Sequence, residues 1–118
     1  MLEQKTVLPI DSAERKRIPL CTGVLDYFPA ALAEVAKVSY QGNQKHNPGE
    51  PLHWARGKSM DQEDTILRHL LERDGTDVDG CSHLAHAAWR ILALLQLKCE
   101  AEGAPIARGA VLPSVEGK

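Results

Sequence analysis

The sequence lacks three features that would place it in a specialised class of protein. Its three cysteines, Cys21, Cys81 and Cys99, form no CxxC pair, so neither a disulfide framework nor a zinc ribbon is supported. Its formal net charge of -2 shows no basic excess, and we expect no stable nucleic-acid binding. No apolar run is long enough to cross a bilayer, and no early one resembles a signal peptide. We therefore expect a cytoplasmic protein with no membrane partner.

Patterns typical of β-strands are almost absent as well, and what remains is helical. Three segments each carry a start and a stop signal for a helix. Pro29 and Gly42 delimit the first, over 29–41, and a capping box of Ser59 and Gln62 begins the second, which stops at Gly75. Asp79 or Ser82 begins the third, which stops at Gly103. The sequence therefore predicts an all-α fold, with an arm over 1–20, a helical domain over 21–103 and a mobile tail over 104–118.

The third predicted helix is apolar around most of its circumference. Three short helices bury one another only partly, so one neighbour within the bundle is not enough to cover this helix. The small bundle is therefore expected to assemble as a homo-oligomer, either a homodimer or a homotetramer.

Carboxylates on two of the predicted helices suggest a site for a hard cation. Asp61 and Asp64 are three residues apart on one helix face, and Glu34 is the acid of the preceding helix. Oxygen ligands of this kind suit Mg²⁺ or Mn²⁺, although acids in a first turn also simply complement the helix dipole. We predict Glu34, Asp61 and Asp64 as metal ligands and catalytic residues.

Histidines offer a competing metal site. His83 and His86 form an HxxH pair on the third helix, and His69 of the second helix is also available. Because HxxH is common by chance and no third ligand at a diagnostic spacing accompanies it, a role in packing or in supporting other ligands is favoured over metal ligation.

The segment between the two acidic helices is rich in groups that bind nucleotides. Lys45, Arg56 and Lys58 can hold phosphates, since Arg offers a fork of donors and Lys a point charge. Trp54 can stack on a base or anchor the loop on a helix. The amides of Asn43 and Asn47 can read the polar edge of a base, so these six residues are the predicted substrate contacts. 

Three runs in this order resemble a known family: GNQKHNPGEPLHWARGKS, DQEDTILRHLLER and DVDGCSHLAHAAWRILALLQL. Over about residues 27–101 the chain resembles the dATP/dGTP diphosphohydrolase domain of phage and bacterial proteins, a relative of the all-α MazG-like pyrophosphohydrolases. The resemblance implies a helical, oligomeric, metal-dependent enzyme that converts a purine (d)NTP, dGTP or dATP, to the monophosphate and pyrophosphate. In a phage, inside the bacterial host, such an enzyme would remodel the nucleotide pool, for example towards 2-aminoadenine.

The chain also departs from the MazG-like pattern. Where those enzymes carry several glutamates on the first helix, this chain carries Glu34 alone, and Asp61 replaces the first Glu of the ExxD pair. The missing ligands would come from Glu72, Asp79, a histidine or a neighbouring subunit. Two other interpretations remain open, which are a non-catalytic helical oligomer that binds a nucleotide or a partner, and a histidine-centred metal phosphohydrolase.

Overall fold

The computed structural model describes residues 6–58 and 61–112, with the backbone alone for Lys58, and within these ranges the protein is helical. Four α-helices follow one another: α1 (Ser12–Arg15), α2 (Pro29–His46), α3 (Gln62–Leu71) and α4 (His83–Ala101). Three shorter helical turns are added: a π-helical turn at Cys21–Leu25 and 3-10 turns at Arg56–Lys58 and Arg108–Ala110. In the described part of the chain, β-pairing is limited to an isolated bridge between Thr76 and Ser82. The expected all-α fold is confirmed.

Helix α4 organises the fold because both α2 and α3 pack against it. Its start and end agree with the sequence signals. The Ser82 hydroxyl accepts a hydrogen bond from the Ala85 amide at 3.0 Å, as an N-cap does, and Gly103 has the positive φ of 113° that suits a helix stop. At the centre, Val38 packs with Cys81 and Ala85, and Trp89 packs against this cluster.

Much apolar surface stays outside this small core. On α3, Leu67 and Leu71 are 61% and 83% exposed, and on α4 Ile91 and Leu95 are about half exposed. None of the helices in the described ranges is both long and apolar enough to span a membrane.

The predicted stop of the first helix at Gly42 is wrong. Helix α2 continues through Gly42 to His46 and ends where Asn47, whose backbone is no longer helical, precedes Pro48 and the left-handed Gly49. A proline disfavours helical backbone in the residue before it, so the break belongs to Asn47-Pro48-Gly49. Gly42 lowers helix propensity by only about 1 kcal/mol, which tertiary packing overrides.

The second helix also begins later than predicted. Asp61 has non-helical backbone angles, α3 begins at Gln62, and the helix ends at Leu71, before the turn that contains Gly75. Ser59 of the predicted capping box lies outside the described residues. Gln62 is buried and accepts a hydrogen bond from Arg90 Nη1 at 3.1 Å.

Two asparagines shape the loop that follows α2. Asn43 and Asn47 are both buried, and Asn47 Nδ2 donates to Asn43 Oδ1 at 3.0 Å and to the carbonyl of His53 at 3.3 Å. Asn43 Nδ2 donates to the Glu50 carbonyl at 3.0 Å. The side-chain amides therefore hold the loop, because they donate to backbone carbonyls that have no partner in a helix or sheet.

An ion pair ties the loop to the end of α4 and to the segment that follows it. Arg56 makes a two-pronged contact with the carboxylate of Glu100, and its Nη2 lies 2.8 Å from Oε2. Gln96 and the amide of Ala107 donate to the same carboxylate oxygen at 2.7 and 2.9 Å. Trp54 N donates to the Gly109 carbonyl at 2.7 Å. Residues 104–110 of the predicted tail thus pack back on the helical domain.

Replacing Asn47 with Ala should lower the free energy of unfolding by about 1–3 kcal/mol, because it removes the amide that donates to Asn43 Oδ1 and to the half-buried His53 carbonyl. Chemical denaturation in the absence of nucleotide measures this change. Gln44→Ala on the exposed side of the same helix should change stability by no more than about 0.5 kcal/mol. An Asn47→Ala variant with unchanged stability would contradict the role of this amide in holding the loop.

The Arg56–Glu100 pair should make stability depend on pH. The hydrogen bonds that Arg56 donates to the Glu100 carboxylate lower the pKa of Glu100 from 4.5 to about 2. A carboxyl whose pKa is lower in the folded state stabilises the fold above its unfolded pKa, and this contribution is lost as the pH falls from 4.5 towards 2.

Glu100→Gln should therefore cost about 1–3 kcal/mol at pH 7, and the difference from the wild type should shrink below pH 4.5. Denaturation curves collected across this range provide the measurement. The matched control is Glu102→Gln, whose carboxylate pairs with Lys98 on the surface and should matter by less than about 1 kcal/mol. A pH-independent difference for Glu100→Gln would refute this assignment.

Candidate functional site

A cleft of about 990 Å³ opens between the C-terminal half of α2, the loop after it, helix α3 and the first turns of α4. Ligand pockets commonly have volumes of about 300–1,000 Å³, so the cleft is large enough for a nucleotide. Three groups of side chains line it: a histidine–aspartate cluster at one end, two arginines beside it, and the loop carrying Trp54.

The histidine–aspartate cluster combines residues from three parts of the chain. His69 lies in the last turn of α3, His83 and His86 lie one turn apart at the start of α4, and Asp77 and Asp79 lie in the turn between these helices. Positions i and i+3 share one helix face, so both α4 histidines point to the same side. The HxxH pair therefore lies beside His69, Asp77 and Asp79, potential metal ligands that the spacing of the two histidines does not reveal.

The imidazoles are packed closely together. The rings of His69 and His86 are stacked with centroids 4.7 Å apart, and the Nδ1 atoms of His69 and His83 are 2.9 Å apart. Burial lowers the pKa of His69, and the neighbouring His86 and His83 lower it further. The neutral form of His69 is favoured, and a neutral imidazole has a nitrogen lone pair to offer.

The two aspartates face the same atom of His86. Asp79 Oδ2 lies 2.9 Å and Asp77 Oδ2 lies 3.7 Å from His86 Nε2. Within the described residues, two sets of three side chains bring potential ligand atoms within 4.8 Å of one another: His69, Asp77 and His86; and Asp79, Cys81 and His86. Cys81 is 2% exposed and belongs to the core, where burial raises the pKa of its thiol.

The turn between α3 and α4 places the aspartates. The Thr76–Ser82 bridge closes the turn, and Asp77 N donates to the Cys81 carbonyl at 2.8 Å. At the turn, Gly80 has a φ of 86°, a left-handed conformation that glycine adopts without strain. Cys81 N donates to Asp79 Oδ1 at 2.9 Å, which fixes that side chain.

Two arginines give the neighbouring part of the cleft a positive charge. Arg68 donates to Asp61 Oδ2 at 3.1 Å and to the Thr65 hydroxyl at 2.9 Å. Arg90 is half-buried and bonds the neutral Gln62, and no carboxylate of the described residues lies within ion-pair distance of it. Burial lowers the pKa of Arg90, but a guanidinium stays protonated at neutral pH. Arg90 is thus a charge available to an anionic ligand.

The predicted carboxylate ligands do not join either of these clusters. Asp61 lines the cleft and pairs with Arg68, which lowers the pKa of the carboxyl. Asp64 is exposed on α3, and Glu34 pairs with Lys37 on α2 at 2.9 Å; neither lines the cleft. Their assignment as metal ligands stays a prediction.

The predicted substrate contacts have mixed positions. Lys45 is exposed and lines the cleft, whereas Asn43 and Asn47 line it but use their amides to hold the loop. Trp54 lines the cleft with its indole edge-to-face against Trp89, at 5.8 Å between centroids, and with Arg56 stacked at 4.1 Å. Arg56 is in turn bound by Glu100. The side chain of Lys58 lies outside what the structure describes.

Sequence reasoning missed Asp77 and Arg68 as site residues, and it considered Arg90 as a further phosphate or carboxylate partner. For Asp77 the sequence did contain a signal. Asp77 and Asp79 stand just before Ser82, the N-cap of α4, and residues in a short turn before a helix lie close to its first turn. Arg68 gave no comparable signal, because the local sequence does not show that this side chain lines the cleft.

Comparisons with known proteins add a family. No curated protein and no solved structure matches the chain. The family model described as dATP/dGTP diphosphohydrolase, N-terminal, matches residues 11–105, which include α2, α3, α4 and all the residues of the histidine–aspartate cluster. Because this match covers most of its 118 residues, the chain belongs to the dATP/dGTP diphosphohydrolase N-terminal family.

Proposed function

We propose that the cleft binds a purine nucleoside triphosphate, dGTP or dATP, and hydrolyses it to the monophosphate and pyrophosphate with Mg²⁺ or Mn²⁺. The observation that carries this proposal is the half-buried Arg90 without a carboxylate partner among the described residues, next to a cluster of groups able to bind a metal. The family to which the chain belongs supports the choice of reaction.

The side chains divide the work of binding. Arg90 and Lys45 contact phosphate oxygens, and Arg68 can do so as well once it releases the exposed Asp61. When bound, a divalent ion neutralises charge on the triphosphate and lowers the pKa of a water molecule. Trp54, whose indole is fixed by Trp89 and Arg56, offers a rigid surface to the base.

The remaining residues predicted from the sequence belong to the same proposal. Glu34, Asp61 and Asp64 are the carboxylates that the sequence predicts as ligands of Mg²⁺ or Mn²⁺, and Asn43, Asn47, Arg56 and Lys58 are further proposed substrate contacts. Of these carboxylates, Asp61 is the one that lines the cleft.

We also infer a homodimer or homotetramer. The half-exposed Ile91 and Leu95 of α4, together with Leu67 and Leu71 of α3, are large apolar side chains that a second copy would cover. In a phage-infected bacterial cytoplasm, the reaction would remove a purine dNTP from the pool and supply dGMP or dAMP, for example to the synthesis of 2-aminoadenine nucleotides.

The activity is tested by incubating the full chain with each dNTP and NTP in the presence of Mg²⁺ or Mn²⁺ and identifying the products by ³¹P NMR. We expect pyrophosphate and a purine monophosphate. Binding without turnover for every nucleotide would favour a non-catalytic nucleotide-binding oligomer, and release of single phosphates would show that another bond is cut.

Arg90→Gln should lower kcat/KM for the preferred nucleotide about 10- to 100-fold, the equivalent of one or two charge-assisted hydrogen bonds to phosphate. Arg73→Gln is the matched control, because Arg73 is exposed outside the cleft and donates to the Leu70 carbonyl. Steady-state kinetics on variants with wild-type circular dichroism measure the effect. Equal kcat/KM for the wild type and Arg90→Gln would contradict the proposal that Arg90 contacts the phosphates.

A further inference from the structure

The histidine–aspartate cluster has the composition of a transition-metal site rather than a magnesium site. His69, Asp77 and His86 bring one ligand atom each within 4.8 Å of one another. Imidazole nitrogen suits first-row transition metals such as Fe²⁺, Ni²⁺ and Zn²⁺, and the carboxylate of the set also suits Mn²⁺, whereas Mg²⁺ prefers an all-oxygen shell. The donor set therefore differs from the carboxylate set predicted from the sequence.

The cluster is built by the fold and is not an accidental meeting of surface side chains. Its members come from the end of α3, the closed turn and the first turns of α4, and the backbone bonds of that turn hold the aspartates over His86. The side chains of His83 and His86 are each 14% exposed. Enclosed on the protein side, the cluster still lines the cleft, where water and phosphate oxygens can complete a coordination shell.

Hydrogen bonds within the protein leave this cluster incompletely satisfied. His86 Nε2 has one ring position to share between two carboxylates, and the nearer, Asp79, takes the hydrogen bond at 2.9 Å. The Asp77 oxygen stays at 3.7 Å, too far for a hydrogen bond. A cation bound by Asp77 Oδ2 and His86 Nε2 would give that carboxylate oxygen the partner that the hydrogen bonds do not supply.

We propose that His69, Asp77 and His86 bind one divalent first-row transition-metal ion, and that Asp79, whose Oδ2 lies 2.9 Å from His86 Nε2, stands beside it. His83, whose Nδ1 lies 2.9 Å from His69 Nδ1, orients the His69 ring, as second-layer partners of metal-bound histidines commonly do. Metal binding here does not depend on the proposed hydrolysis. The placement deepens that proposal, since the ion would lie in the same cleft as Arg90.

The test measures metal binding directly. Full-length protein is stripped with a chelator and titrated with Mn²⁺ or Co²⁺, and stoichiometry and affinity are determined by calorimetry and elemental analysis. We expect one ion per chain and ¹⁴N couplings from directly bound imidazole in the pulsed electron paramagnetic resonance spectrum of bound Mn²⁺. Failure to bind either ion, or a bound Mn²⁺ without ¹⁴N couplings, would overturn the proposal.

Matched variants locate the site. Asp77→Asn and His86→Gln should each raise the dissociation constant by about 100-fold or more, because even residues behind the ligands contribute 10- to 100-fold in known sites. Asp74→Asn, an exposed neighbour in neither set, should leave it unchanged. Should His86→Gln fail to fold, Asp77→Asn and the ¹⁴N couplings of the wild type still decide the matter.

Asp64→Asn separates the two metal assignments. Loss of the ion in Asp64→Asn together with retention in Asp77→Asn would overturn the proposal in favour of the carboxylates predicted from the sequence. Metal binding at the cluster without nucleotide turnover would refute the proposed function alone. Turnover that survives with wild-type metal affinity in Asp77→Asn and His86→Gln would refute the metal site alone.

Discussion

The turn between α3 and α4 is the constraint on which the candidate site depends. The Thr76–Ser82 bridge, the Asp77–Cys81 backbone bond and the left-handed Gly80 reverse the chain within a few residues. The same turn carries Ser82, which caps α4, so the segment that places the aspartates also begins the helix. Because Cys81 is buried in the core next to Ala85, core packing holds the turn in place.

Arg56 and Arg90 both line the cleft, but their neighbours determine whether each guanidinium is free to bind an anion. Arg56 is neutralised by Glu100, which also gathers donors from Gln96 and Ala107, and the group joins the loop, α4 and the segment after it. Arg90 lies against the amide of Gln62 instead. Leaving a half-buried guanidinium without a carboxylate costs stability, and such a cost is typical of sites where a ligand supplies the missing charge.

Helix caps made part of this fold predictable from sequence. Helix α4 begins after Ser82 and ends before Gly103 as expected, because both signals act locally. The Ser82 hydroxyl accepts from a free helix amide, and Gly103 adopts a positive φ. Gly42 misled because a single glycine weakens a helix only slightly, whereas Asn47-Pro48-Gly49 combines three local reasons to stop. Long-range pairings such as Arg56 with Glu100 leave no mark in local sequence, so the sequence did not show that the guanidinium of Arg56, a predicted phosphate contact, is held by a carboxylate.

The central claim is that the histidine–aspartate end of the cleft holds a metal beside an anion-binding arginine. Anomalous diffraction from crystals grown with Mn²⁺ and a non-hydrolysable dGTP analogue would test it most directly. The account predicts one manganese peak between His69, Asp77 and His86, with the triphosphate extending from it towards Arg90. A peak beside Glu34 or Asp64, with nothing bound at the histidines, would contradict it.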